Sequence, residues 1–265
     1  MCFINTKGVV CLTKKIRTYR VGEESVNNFG SRIVISEYIK ATDITIFFPE
    51  YNWSVKATYG QFQNGLIKCP YERRTYGVGY IGEGQYQPKE NGKTTKAYEK
   101  WNDMLQRCYN EKMIQRNKTY SECEVCDEWH CFQNFAQWFN DNYYTVESQS
   151  THLDKDILNK NNKIYSPDTC VFVPKEINNL FVKQQRQRGD TPIGVHKLKY
   201  DKYRATISID SKNKILGEFD TMEEAFYAYK LAKEQNIKDV ADKYKELIPD
   251  RLYNAMYSYE IELDD

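Results

Sequence analysis

The chain has 265 residues, with 38 basic and 37 acidic side chains that give a formal net charge of +1 at pH 7. This length suits one large domain or two to three small ones. The 22 tyrosines and four tryptophans argue against disorder outside short connectors and favour compact cores or stacking interfaces.

The longest early apolar run, Val9 to Leu12, is too short for a signal peptide or a membrane span. We therefore expect a cytoplasmic protein with no membrane partner. In a reducing compartment disulfides are not the default, so the eight cysteines are expected to be reduced and mostly buried.

Residues 1–70 are predicted to contain a small β module of unknown role. The runs Ile33–Ile35 and Ile44–Phe48 are β-branched or aromatic and are bounded by turn residues, which predicts two strands. Residues 59–65 are predicted to form a turn with a short helical piece.

Residues 71–96 hold five glycines and Pro88, which is typical of a connector. Gly77, Gly79 and Gly82 have the spacing of a dinucleotide-binding loop. However, we predict neither a buried strand before them nor a helix after them, so we do not assign that function.

Residues 97–182 are predicted to form a second folded unit. Aromatic residues recur at helical spacing from Tyr98 to Cys108 and again from Phe132 to Phe139, which predicts two helices around a shared core. The run Thr169–Val173 is predicted to be a strand.

Residues 190–250 are predicted to form three strands and a helix, and residues 251–265 an acidic tail. The strands are placed at Ile193–Lys197, Tyr203–Ile209 and Lys214–Phe219. Thr221 and Glu224 form a capping box, which predicts a helix from there to about Gln235. The whole chain is thus expected to have an α+β fold.

Charge is distributed unevenly in this region. Residues 183–216 contain nine basic and three acidic side chains, whereas residues 217–265 contain six basic and thirteen acidic ones. Strand alternation places Arg204, Thr206 and Ser208 on the face opposite the helix. Lysines flank that face at five positions: Lys197, Lys199, Lys202, Lys212 and Lys214. Such a sheet could enter a DNA major groove, or it could be an ordinary solvated surface.

The same region resembles the Apetala-type (ethylene-response-factor) DNA-binding domain over about 55 residues. The similarity is carried by Ile193-Gly194-Val195, Lys202–Ile207, Leu216–Thr221 and Glu223–Tyr229. That domain places a three-stranded sheet in the major groove, and it also occurs fused to phage HNH nucleases. The resemblance implies that Arg204 and Lys197 contact double-stranded DNA. The plant domains carry more arginines on this face.

The middle unit resembles HNH-type proteins of tailed phages over about 85 residues. The similarity is carried by Tyr98–Tyr109, Val125–Trp129, Phe132–Phe135, Leu153–Asp156, Tyr165–Cys170 and Ile177-Asn178. HNH proteins have a ββα-metal fold that hydrolyses phosphodiesters, in which a cation neutralises charge and a base activates water.

This resemblance implies that Asp154 and Asn178 are ligands of Mg²⁺ or another divalent metal. Lys155 stands where the family has its catalytic base, and Thr169 replaces the asparagine that braces the base. To act as a base, a lysine would need its pKa lowered by about three units. We therefore expect Lys155 to stay charged; either it contacts a phosphate or the site is inactive.

His152 is the alternative base, because on a strand it shares a face with Asp154. The alternative interpretation, which the sequence favours slightly, is an exposed loop residue. Cys123 and Cys126 have the spacing of a zinc ligand pair, but a structural site needs four ligands and no second pair is apparent. A structural zinc is therefore the less favoured interpretation.

Three functions are compatible with these patterns. The first is a phage-type DNA endonuclease or nickase with an altered active site. The second is a catalytically inactive DNA- or protein-binding factor, such as a regulator or inhibitor of a host system. The third, a purely structural interaction protein, is disfavoured by the basic sheet.

Overall fold

Two units, each with its own core, make up the computed structural model, which describes residues 19–146, 149–182 and 191–263. The first unit comprises the described residues up to Arg74 together with Tyr80–Glu83. The second comprises Thr75–Gly79 and the described residues from Gly84 onward. The architecture is α+β, as the sequence predicted. Within the described ranges, no helix is long and apolar enough to cross a membrane.

An antiparallel sheet with the strand order β1-β2-β3-β4 forms the first unit. Its strands are β1 (Glu24–Val26), β2 (Arg32–Lys40), β3 (Asp43–Phe48) and β4 (Trp53–Ala57), followed by helix α1 (Tyr59–Gln63). Alternate residues of β3 are fully buried, and Phe62 of α1 adds to the same core. The two predicted strands and the short helical piece are confirmed.

The predicted connector is not a separate segment. Residues 71–74 and 80–83 belong to the first unit and residues 75–79 to the second. A side chain on Gly79 would overlap Leu105 and Trp101, with its Cβ 2.5 and 2.9 Å from their carbons. Close packing thus requires a glycine at position 79. Glycine-rich composition alone does not show whether a glycine is needed for packing or belongs to a flexible linker.

An aromatic helical core begins the second unit. A small hairpin of β5 (Lys89–Glu90) and β6 (Lys93–Thr94) leads into α2 (Lys96–Tyr109) and α3 (Glu111–Arg116); β7 (Glu124–Val125), α4 (Asp127–His130) and α5 (Phe132–Asn142) follow. Trp101, Trp129 and Phe132 are fully buried, and the Trp101 indole donates a hydrogen bond to the carbonyl of Trp129 at 2.7 Å. The two predicted helices are confirmed as α2 and α5.

Two antiparallel strands and a helix come next. They are β8 (Thr151–Asp154), β10 (Val171–Pro174) and α6 (Lys175–Leu180), with β9 (Ile164–Tyr165) pairing with β7 in between. In the register of the pair, His152 lies opposite Val173 and Asp154 opposite Val171. Because α6 starts directly after β10, its side chains fall beside the two strands.

The last part of the chain is a three-stranded sheet on a long helix. Its elements are β11 (Val195–Lys197), β12 (Tyr203–Ile209), β13 (Lys212–Phe219), α7 (Met222–Tyr244) and α8 (Asp250–Tyr257). Ala205 and Ile207 of β12 are buried in one core with Ala225, Phe226 and Tyr229 of α7. The predicted strands and capping box are confirmed.

Two boundary predictions in this region are wrong. Helix α7 continues nine residues past Gln235, because Ile237, Ala241 and Tyr244 extend its buried stripe. The expected acidic tail contains α8, where Leu252 and Met256 are fully buried. Its many acidic residues concealed an apolar pair four residues apart, which is one face of a helix.

The ββα elements and the C-terminal sheet also share one core. Val171, Val173 and Ile177 belong to the same buried cluster as Val195 and Ile207. In addition, the Arg251 guanidinium on α8 donates to the carbonyl of Cys170 at 2.6 Å. The sequence predicted two separate modules with a boundary near residues 183–190, which lie outside the described residues.

Candidate nucleic-acid and metal sites

Strand β8 presents two chemically useful side chains on one face. Thr151 and Leu153 are buried, whereas His152 and Asp154 are partly exposed on the opposite side. This alternation follows from the geometry of a strand. The predicted sharing of a face by His152 and Asp154 is therefore confirmed.

Asp154 closes the turn that follows β8. Its Oδ1 accepts hydrogen bonds from the backbone N–H groups of Asp156 and Ile157, both at 2.8 Å. Burial raises the pKa of the Asp154 carboxyl above its usual value, although these two bonds oppose the shift. No described residue donates to Oδ2, which leaves that oxygen available to a cation.

A cleft of about 370 Å³ brings Asp154 together with Asn178 of α6. Asp156 and Asn161 line the same cleft. Magnesium commonly uses one or two protein carboxylates and completes its shell with water and substrate phosphates. One free carboxylate oxygen and a nearby amide fit that pattern, whereas they do not provide the ligands for a closed structural site.

His152 is not among the residues that line this cleft. Its Nε2 lies 3.0 Å from the Ser150 hydroxyl. Burial lowers the pKa of the imidazole, and the positive charges of Lys100, Arg107 and Lys175 lower it further. The side chain is accordingly neutral at pH 7 and able to accept a proton.

Lys155 is not placed as the sequence predicted. Its residue is only 4% exposed, and its ammonium donates to Asp156 Oδ1 at 2.7 Å and to the Asn162 carbonyl at 2.8 Å. Burial lowers the pKa of this lysine, but Asp156 outweighs burial and the net pKa is raised. Lys155 thus stays charged, as predicted, and it lines the Asp154 cleft, but its ammonium is committed to Asp156 and Asn162, which argues against the predicted phosphate contact.

The Thr169 side chain also makes its hydrogen bonds within its own turn. Its hydroxyl donates to the carbonyl of Ile164 at 2.7 Å and lies 2.9 Å from the Ser166 hydroxyl. These bonds hold the segment between β9 and β10. No described contact links Thr169 to His152, so it does not brace that imidazole.

Six cysteines lie in the described ranges, and five of them are buried. Burial raises the pKa of the Cys108 and Cys170 thiols to about 12. The predicted burial of most cysteines is confirmed for these six. Within the described residues, no group of three or more His, Cys, Asp or Glu side chains could hold a metal ion.

The outer face of the C-terminal sheet consists of three cross-strand rows. Directly paired residues point to the same face of a sheet. The register therefore gives the rows His196–Arg204–Glu218, Thr206–Ile215 and Ser208–Asn213. The prediction that Arg204, Thr206 and Ser208 face away from the helix is confirmed, and Ser208 is exposed.

This outer face is less basic than the sequence predicted. Lys214 pairs with Ile207 and Lys212 with Ile209, so both lysines belong to the helix-facing side and reach solvent at its edge. A bulge between Ala205 and Thr206 shifts the register and moves them there. Lys197 pairs with Tyr203, whose side chain is on the helix-facing side, so Lys197 lies on that side as well.

Ion pairs also neutralise part of the positive charge on and around the sheet. The Arg204 guanidinium donates to Glu218 Oε1 at 2.6 and 3.1 Å. Lys197 pairs with Asp201 at 3.1 Å, and Lys202 pairs with Asp220. Among the described residues, Lys199, Lys212 and Lys214 are exposed and make no ion pair. Counting charges along the sequence missed this compensation, because the acids arrive from neighbouring turns and from β13.

Comparison of the chain with family models, curated proteins and solved structures found no match in any of the three.

Proposed function

We propose that this protein binds duplex DNA through its C-terminal sheet and hydrolyses phosphodiester bonds with a divalent metal at its ββα unit. The observation that carries the proposal is the strand pair β8–β10 followed directly by α6, which gathers Asp154 and Asn178 in one cleft. This arrangement supports the resemblance to phage HNH-type proteins with an Apetala-type domain.

Binding and chemistry are assigned to different elements. The outer rows of the sheet offer Arg204, which can form paired hydrogen bonds to guanine, together with the hydroxyls of Thr206 and Ser208. The exposed Lys199, Lys212 and Lys214 lie around the edge of the sheet, where they can contact phosphates. Phosphate contacts would position the protein, while Arg204 would supply base preference.

In the ββα unit, Asp154 Oδ2 and the Asn178 amide oxygen would hold the metal. A divalent cation at this position supplies charge neutralisation for the attacked phosphate. His152, neutral and on the same strand face, would accept the proton of the attacking water, directly or through one further water. Lys155 lines the same cleft, but in this scheme it is not the base, because its ammonium stays charged beside Asp156.

Incubation with supercoiled plasmid tests the catalytic half of the proposal. The wild-type protein should convert plasmid to nicked or linear form with Mg²⁺ or Mn²⁺ and not with EDTA. Asp154→Asn should abolish conversion, because it removes the carboxylate that binds the metal. Asp168→Asn is the matched control, since Asp168 is exposed on a turn away from this cleft and should leave activity unchanged.

A second candidate is a catalytically inactive factor that binds DNA or a host protein. It is favoured by two observations: the position of the family base is occupied by the buried Lys155, and His152 lies outside the cleft. If plasmid stays intact with every divalent metal while the protein still retards duplex DNA in a gel, this function replaces hydrolysis.

A further inference from the structure

A second, larger cavity of about 820 Å³ also borders α6, and Val182 lines both this cavity and the Asp154 cleft. It is bounded by α6, by β11 and β12, and by the middle of α7. Its volume is within the range of small-molecule sites, about 300–1,000 Å³. Part of its wall is apolar (Leu180, Val182, Ile193), and part is polar (Thr206, Ser208, Lys233, Asn236).

Lys233 brings an uncompensated positive charge to this wall. Burial lowers the pKa of its ammonium, and no acidic side chain among the described residues pairs with it. The nearby carboxylate of Glu176 is already satisfied by Lys243 at 2.7 Å and by the Tyr244 hydroxyl at 2.6 Å. Asp210 also lines the cavity, but it is exposed to solvent. A partly buried, unpaired ammonium costs stability, which an anionic ligand would restore.

Asn236 supplies the second observation. Its residue is only 7% exposed, it lines the cavity, and its side-chain amide makes no hydrogen bond to any described residue. Its amide atoms are not sealed from solvent, so water or a ligand in the cavity can reach both the donor and the acceptor. Lys233 and Asn236 are three residues apart on α7 and therefore lie on one face of the helix.

We propose that this cavity binds one nucleotide unit. The phosphate would lie against Lys233, on the part of the wall that α7 provides. The base edge would bond to the Asn236 amide, which both donates and accepts, and the base face would pack on Leu180 and Ile193. This site is separate from the proposed metal cleft and does not need that cleft to be catalytic.

The nucleotide has two possible sources, a free nucleoside monophosphate or one nucleotide of a DNA strand. Binding of the full-length protein to each deoxynucleoside 5′-monophosphate and to a short single-stranded oligonucleotide should be measured by calorimetry without divalent metal. Lys233→Met and Asn236→Asp should each weaken ligand binding at least tenfold. The first variant removes the cation that contacts the phosphate, and the second places a negative charge beside the anionic ligand. Lys238→Met is the matched control, because Lys238 is on the same helix and does not line the cavity.

Loss of monophosphate binding in both variants identifies the free nucleotide as the ligand. If the wild-type protein binds only the oligonucleotide and both variants lose it, the ligand is a nucleotide of the strand. Binding of neither ligand, or equal binding by wild type and variants, overturns the proposal. Lys233→Met should keep or raise Tm, because it replaces an unpaired ammonium with an apolar chain of similar length, so lost binding is not unfolding. Because no metal is added, failure here is independent of plasmid cleavage.

Discussion

Arg204 illustrates how a single acidic neighbour changes what a basic residue is free to bind. The alternation of β12 was sufficient to place it on the outer face, but only the register shows that Glu218 lies directly beside it. Glu218 holds the guanidinium when no DNA is present. For Arg204 to contact a base, this exposed pair must open, and exposed pairs cost little to open.

Two substitutions test this arrangement. Arg204→Ala should weaken duplex binding by about 1–3 kcal/mol if the side chain bonds to a base. Glu218→Gln should strengthen binding, because it frees the guanidinium and removes a negative charge from the face. Fluorescence anisotropy with a labelled duplex measures both. Glu246→Gln controls for net charge, since Glu246 follows α7 and is remote from the sheet in sequence; equal gains in both glutamine variants would refute the local effect.

Lys155 provides a prediction about stability instead of binding. Lys155→Met should lower the free energy of unfolding by about 1–3 kcal/mol, because it leaves the Asn162 carbonyl without its donor. It should not alter the salt dependence of DNA binding. Urea unfolding and gel retardation measure the two effects. Lys163→Met is the control, as its pair with Glu122 is exposed and should contribute less than about 1 kcal/mol.

At the scale of elements, periodic patterns were reliable and compositional patterns were not. The alternation in β3 and β12 and the aromatic spacing in α2 and α5 gave the correct elements, because each pattern reflects one buried face. Glycine content suggested a connector where Gly79 packs on Trp101, and acidic content suggested a tail where α8 is buried. Composition reports on solubility and backbone freedom, and it does not reveal which few side chains reach a core.

Helix α8 can be tested directly. Leu252→Ala should destabilise the protein by about 2–5 kcal/mol, because it removes a fully buried side chain. Leu247→Ala, at a 54% exposed position just after α7, should change stability by less than about 0.5 kcal/mol. Thermal unfolding compares them. Similar small effects for both would mean that the segment after α7 is the acidic tail first predicted.

At the scale of the candidate site, the sequence predicted which residues line the site better than it predicted their burial and their hydrogen-bond partners. Asp154 and Asn178 were placed from a resemblance, and the structure gathers them in one cleft. The burial of Lys155 could not be predicted, because it depends on Asn162 and Tyr165, which reach the ammonium only when the chain folds. The Lys233 and Asn236 cavity was missed because an isolated lysine and asparagine on a helix look like solvated residues.

For the whole molecule, the contact of Glu176 with α7 ties the ββα elements to the C-terminal sheet. Burial would raise the pKa of this carboxyl, but hydrogen bonds from Lys243 and Tyr244 prevail and lower it below 4.5. A carboxyl whose pKa is depressed on folding adds stability above its unfolded pKa, and that contribution is lost as the pH falls through the folded value. Stability should therefore decline from about pH 4.5 downward.

Glu176→Gln should be less stable than wild type at pH 7 and should show a shallower decline of stability below pH 4.5. Urea unfolding at intervals from pH 7 to pH 3 measures this difference. Glu223→Gln is the control, because Glu223 is an exposed residue in the first turn of α7. If the Glu176→Gln and wild-type stability curves remain parallel through the acid range, this carboxylate does not couple the two parts of the core.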